Sequence, residues 1–208
     1  MKKLTTTSYA MLAHLAVRPW SAYELTQQMT RGFDLVWPRA ESGIYQELKN
    51  LEAHGLAAST PEPSGRRSRT VYSITRRGRH AFTAWLERPS KRPQFESEAL
   101  IRVFFAEHGS KEDLQATLEG FTAYGRAVKQ RLLTQIGAYL DEGEPFPERW
   151  HVIALGAGFL LELADACERW ARWAQDETKK WPSTGSVAAS RGERLLKRHL
   201  RRYGAPDF

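Results

Sequence analysis

Residues 42–78 read SGIYQELKNLEAHGLAASTPEPSGRRSRTVYSITRRG, and a change of period inside them decides the fold. Ser42 can cap a helix whose Ile44, Leu48 and Leu51 recur at i, i+4 and i+7, and Gly55 is a suitable stop. The pattern then becomes extended. Two short runs flank a turn rich in Pro, Ser and Gly, and the second, Thr70 to Thr75, carries the strand formers Val71, Tyr72, Ile74 and Thr75. This predicts a β-hairpin that displays Arg66, Arg67 and Arg69 at its tip.

Upstream, SYAMLAHLAV (residues 8–17) sets Met11, Leu12, Leu15 and Ala16 at helical spacing after threonines able to cap a helix, and Pro19 stops it. Ser21 and Glu24 form a capping-box pattern opening SAYELTQQM, with Tyr23, Leu25 and Met29 as its candidate buried face. A loop containing Trp37 and Pro38 leads to the third helix. Downstream, helix resumes from Arg77 with Phe82 and Trp85 or Leu86 on one side, and Pro89 and Pro93 flank a basic linker. The expected fold is mainly α with a small β-hairpin wing, a winged helix-turn-helix over residues 1–92 followed by an antiparallel helical domain.

Residues 93–180 predict that second domain. An amphipathic helix over 95–108 precedes a long one from Ser110 to about Asp141. In the long helix Leu114, Leu118, Phe121, Gly125, Val128, Leu132, Gln135 and Tyr139 step by alternating fours and threes, a heptad seam that needs a partner helix and that we expect to supply a dimer. A last long helix, about Glu148 to Lys180, repeats the spacing with Val152, Leu155, Phe159, Leu163, Ala166, Trp170 and Trp173. Beyond it, residues 181–208 read as a tail: a flexible PSTGSVAASRG linker, then a short basic helix from Glu193 to Tyr203.

Composition agrees with a folded, non-repetitive protein: 41% of the 208 residues are hydrophobic and 26% charged. Charge is unevenly placed. Residues 1–92 hold 15 Lys and Arg against 7 Asp and Glu, a net +8; residues 93–180 hold 10 against 15, a net −5; the remainder hold 6 against 2, a net +4. A positive field confined to the first segment points to a polyanion partner. No run reaches the roughly 18 apolar residues expected of a membrane span and the start lacks a signal-peptide core, so a cytoplasmic location is expected. The single cysteine, Cys167, lies in an apolar helical pattern and fits a reducing compartment. An enzyme is not expected. No CxxC, HExxH, glycine-rich phosphate loop or GxSxG occurs, and His14, His54, His80, His108, His151 and His199 are scattered without ligand spacing, so neither a metal nor a cofactor is anticipated.

SYAMLAHLA, SAYELTQQM, SGIYQELKNLEAHGL and YSITRRGRHAFTAWL, in this order, resemble the PadR family of bacterial regulators over about residues 4–180. The resemblance implies a DNA-binding winged helix, a C-terminal helix pair that makes a homodimer and also packs on the partner's first helix, repression as the default, and response to small phenolic or drug-like compounds. One departure stands out: the family's third helix usually reads Tyr-Pro-x-Leu, and Gln46 occupies the proline position here.

A helix fits the major groove of B-DNA, which makes the third helix the expected reader. Ser42, Gly43, Tyr45, Gln46 and Lys49 lie off its apolar face; Gln46 can bond adenine bidentately, and Tyr45 or Lys49 can meet phosphate or base. Arg66, Arg67 and Arg69 are suited to phosphates or the minor groove. Tyr9 resembles the family's first-helix tyrosine, with backbone contact and core packing both open. Tyr139, Phe159, Trp170 and Trp173 are candidates either for plain packing or for an effector pocket with aromatic walls. The basic tail fits a nonspecific DNA contact, a cover for the dimer, or a solvated helix. A winged-helix module for RNA or protein is the competing function.

Overall fold

A computed structural model describes residues 3–29, 33–38, 41–64, 67–143, 146–185 and 189–204. These divide into two units, residues 1–93 and 94–208, and the basic tail clusters with the second.

In the first unit, helix α1 (Thr6–Val17) starts where Thr5 and Ser8 cap one another: the Thr5 amide donates to Ser8 Oγ at 2.8 Å and the Ser8 amide to Thr5 Oγ1 at 3.4 Å. Ser8 is therefore the third residue of the helix rather than its first. The helix buries Met11, Leu12 and Leu15. Strand β1, only Trp20–Ser21, and helix α2 (Ala22–Met29) follow, and the predicted capping box is present: the Ser21 amide donates to Glu24 Oε2 at 2.8 Å, the Glu24 amide to Ser21 Oγ at 3.2 Å. A 3₁₀ turn at Phe33–Leu35 leads toward helix α3 (Glu41–Ala53). Ser42 thus lies inside the helix and does not cap it.

Gly55, at φ 65°, ends α3 as expected. The hairpin comprises strands β2 (Ala57–Ser64) and β3 (Arg67–Ile74), paired from Ala57↔Ile74 to Ser64↔Arg67. The sequence reading missed β1, which pairs with β3 through Trp20↔Tyr72 and Ser21↔Val71 to give sheet order β1-β3-β2. Two residues carry no readable period. On the outer strand β2, Pro61 and Pro63 interrupt the free edge, the place where a missing N–H is tolerated. Helix α4 (Arg76–Leu86) is capped by Thr75, whose Oγ1 accepts from the Gly78 amide at 3.0 Å. Gly78 lets this turn sit on the hairpin base, because a Cβ there would stand 2.0 Å from the Leu56 carbonyl oxygen.

The second unit opens with helix α5 (Glu98–Phe104), capped by Ser97, and a 3₁₀ turn at Ala106–His108, where one helix over 95–108 was expected. Helix α6 (Lys111–Glu142) begins with a reciprocal Ser110–Asp113 box. After a 3₁₀ turn at Pro147–Arg149, helix α7 (Trp150–Lys179) runs back antiparallel. Leu114, Leu118, Phe121, Val128 and Leu132 of the predicted seam are buried. Their partner is α7 of the same chain. At Gly125 the helices meet backbone to backbone, since a Cβ would lie 2.7 Å from the Ala164 carbonyl oxygen.

The stripe predicted on α7 is corrected accordingly. Its buried face consists of Ala164, Cys167, Ala171 and Ala174, small side chains that permit close approach, while Val152, Leu155 and Phe159 remain 45%, 76% and 64% exposed and Ala166 is exposed too. Bulk alone does not say which way a residue faces when two helices touch along small ones. This helix also corrects the expectation about membrane spans. One 18-residue window of Pro147–Lys179 is long and apolar enough to cross a bilayer by length and composition, although only 6% of it is buried in the chain. The reading of uninterrupted apolar runs missed it because a few glycines and acids punctuate the window.

Charged pairs clamp α6 to α7 beside Gly125. Buried Glu168 accepts from Arg126 Nε and Lys129 Nζ, both at 2.9 Å, and pairs with Arg172; Lys129 also meets Asp165 at 2.8 Å. Hydrogen bonds from Lys129 and then Arg126 pull the Glu168 carboxyl down to about 2. Burial pushes the Cys167 thiol up, away from the reactive thiolate. Helix α8 (Ala189–Tyr203) completes the unit.

Candidate nucleic-acid interface

Helix α3 owes its orientation to both apolar and polar anchors. Ile44, Leu48 and Leu51 are buried, each side chain of this size contributing about 1.5–3 kcal/mol. Glu47, on the same face, is only 4% exposed. Its Oε1 accepts from Ser8 Oγ of α1 and from Asn50 Nδ2 at 3.1 Å, so a buried carboxylate ties α3 to the first turn of α1. The sequence reading missed this anchor. Glu47 does fall on the Ile44–Leu48–Leu51 side of the helical period, the one signal that could have found it.

With that face buried, Ser42, Gly43, Tyr45, Gln46 and Lys49 are all exposed on the opposite one. The structure brings these five predicted residues together. Around Gly43 there is open space where a side chain would stand. Beside the helix start lies an open cleft of about 600 Å³, lined by Lys3, Thr5, Thr7, Trp37, Glu47 and Lys91 among others. Trp37 helps to shape it, donating from Nε1 to Thr7 Oγ1 at 3.2 Å.

The other predicted residues fare differently. Arg69 sits in the body of β3 and not at the tip, paired with Glu24 at 3.1 Å and Glu62 at 3.3 Å. The Glu24 carboxyl is held below the usual carboxylate range chiefly by the Ser21 amide, with Arg69 adding to it. Arg67 closes the last strand pair with Ser64, while Arg66 lies outside the described residues. Tyr9 is half-buried and stacks on Trp85, ring centres 5.0 Å apart at 7°, so packing of α1 on α4 accounts for it.

The four aromatic candidates for an effector pocket do not converge within the chain. Trp170 packs edge-on against Phe121 at 5.1 Å and Trp173 against His199 at 5.3 Å. Phe159 is exposed, about 16 Å along α7 from Trp170 at the helical rise. Tyr139 is bonded to Gln135 near the far end of α6. Among the described residues, no group of three or more His, Cys, Asp or Glu is placed to hold a metal ion.

Residues 11–84 match the model of the transcriptional regulator PadR-like family. Over that stretch the chain is similar to PadR-like transcriptional regulators. The matched stretch runs from within α1 to within α4 and so spans most of the winged helix just described. Among solved structures, Bacillus subtilis PadR in complex with operator DNA is 19% identical with a TM-score of 0.73, covering 84% of this chain and 99% of its own. The same protein in complex with p-coumaric acid gives 20% and 0.67, covering 85% and 100%. The Vibrio cholerae virulence activator AphA gives 21% and 0.66, covering 83% and 97%. At such identities the likeness is one of fold. No curated protein matches the sequence.

Proposed function

We propose that this regulator reads double-stranded operator DNA with the exposed face of α3. The observation that carries the reading is the pairing of that face, Ser42, Gly43, Tyr45, Gln46 and Lys49, with a rigid mount, the buried Glu47–Ser8–Asn50 cluster. A reader must be held fixed for Gln46 to offer both its donor and its acceptor to one adenine edge. The wing adds phosphate contacts through Arg66 and Arg67. Arg69 holds the hairpin against Glu24 at the start of α2 and contributes less to DNA.

The protein acts as a homodimer in the cytoplasm. One winged helix makes few base contacts, and a two-fold pair reads a palindrome with half-sites about 34–36 Å apart. The exposed Val152, Leu155 and Phe159 of α7 supply the apolar surface, and a second copy is the partner that makes a self-complementary patch. The solved complex of Bacillus subtilis PadR with operator DNA supports the DNA reading, and its complex with p-coumaric acid supports relief by a small aromatic compound. Repression is the working assignment, with the activator AphA as the precedent for the opposite sign.

Selection of bound genomic duplex fragments tests this, performed at two salt concentrations with wild type and Gln46→Ala. A palindrome whose consensus loosens at one symmetric pair of positions in the variant is the expected result. No enrichment over nonspecific duplex, with retention of structured RNA instead, would overturn it.

A further inference from the structure

We infer that α8 is a second duplex-DNA contact, which grips phosphates without reading bases. The inference rests on the DNA reading above and concerns a part of the chain outside it. The three solved structures are matched over 97–100% of their own lengths yet cover only 83–85% of this chain. Part of this chain is therefore an addition to the shared fold, and α8 lies beyond residue 180, where the sequence resemblance described above stops.

The helix is held in place rather than solvated on all sides. Arg191 donates to the Lys180 carbonyl oxygen at 2.9 Å and lies 3.6 Å from Glu177, and His199 packs edge-on against Trp173. Arg191, Leu195 and His199, spaced by fours, therefore form its docked stripe, and all three are half-buried. A second stripe, Arg194, Lys197, Arg198 and Arg201, follows the i, i+3, i+4, i+7 pattern and lines one groove. All four are exposed. Lys197 meets Glu193 at 2.6 Å, whereas Arg194, Arg198 and Arg201 have no ion-pair partner among the described residues.

Four cations over seven residue steps span about 10 Å, a length over which B-DNA presents about six phosphate charges. Three of the four are arginines, whose planar forks suit phosphate oxygens. An anionic membrane is the other polyanion to weigh, but an interfacial helix needs a broad free apolar face. Here docking occupies Leu195, leaving Leu196, Leu200 and Tyr203. Charge complementarity to a duplex is the better fit.

The test compares the full chain with Arg194→Ala/Lys197→Ala/Arg198→Ala/Arg201→Ala on a 40-base-pair mixed-sequence duplex and on the operator, by fluorescence anisotropy across salt. Four lost phosphate contacts lower the slope of log affinity against log salt by about 3.6 per protomer. The advantage of wild type then shrinks about 100-fold between 0.05 and 0.2 M salt. Arg194→Lys/Arg198→Lys/Arg201→Lys, which keeps the charge, should retain most of the slope. Tryptophan emission, to which Trp173 beside His199 contributes, should be unchanged in every variant if α8 stays docked. Equal slopes for wild type and the alanine variant on an operator that both bind would overturn the α8 proposal alone. Failure of wild type to bind any duplex would overturn the DNA reading and this proposal with it. Unchanged DNA binding, with α8-dependent capture by phosphatidylserine vesicles, would reassign the helix to membranes.

Discussion

Glu47 is charged by type and core by position, and both facts bear on what its loss does. Glu47→Ala removes the acceptor shared by the Ser8 hydroxyl and the Asn50 amide, a loss of about 1–3 kcal/mol. Urea unfolding should register that loss, and operator affinity should fall although Glu47 touches no DNA. The exposed neighbours behave in the opposite manner. Lys49→Ala should leave the free energy of unfolding in urea within about 0.5 kcal/mol of wild type and lower the salt slope of DNA binding by about 1. Gln46→Ala should instead cost about 1–3 kcal/mol on the preferred sequence and little on mismatched ones. Arg69→Ala separates wing from reader: both its partners are partly exposed, so stability should move by less than about 1 kcal/mol.

Among the elements, the α6–α7 pair carries the sharpest predictions. Gly125→Val drives a side chain into the Ala164 carbonyl and should destabilise by about 1–3 kcal/mol or more, seen as a lower thermal midpoint. Glu168 gives this pair its acid sensitivity. Its carboxyl falls from 4.5 unfolded to about 2 folded, so its contribution is complete above about 4.5 and drains away as pH descends toward 2. Stability curves measured from pH 6 to 2 should therefore flatten on the acid side in Glu168→Gln, which starts lower at pH 6. The elements themselves were legible because their signals are local: the Ser21–Glu24 box, the Ser110 cap, the stop at Gly55 and the Leu48–Leu51 period each lie within a few residues. What escaped was non-local. A heptad seam announces that a partner exists and is silent on whether it comes from the same chain. The Ala164–Ala171–Ala174 contact face has no bulk to mark it, and the Arg69–Glu24 pair joins residues 45 positions apart. The exposed face of α3 was readable since polarity and period agreed there, whereas Glu47 presents a charge where burial rules.

At the level of the whole molecule, the palindrome proposed above would take two copies, and the exposed part of α7 is where we expect them to meet. Leu155→Glu/Phe159→Glu changes two outward side chains and should leave the α6–α7 contact intact. Sedimentation velocity should then report monomers, and operator affinity should collapse toward that of a single half-site; a dimer persisting in the variant would move the interface elsewhere. The wing bears on assembly in another respect. Pro61 and Pro63 lie on edge strand β2, the longer of the two sheet edges, where open backbone would otherwise invite a neighbouring chain to add itself. Copies crowded side by side on adjoining sites are thereby denied a route to cross-β polymerisation, so replacing both prolines with threonine should leave a single copy folded yet make concentrated stocks form fibres that bind amyloid dyes.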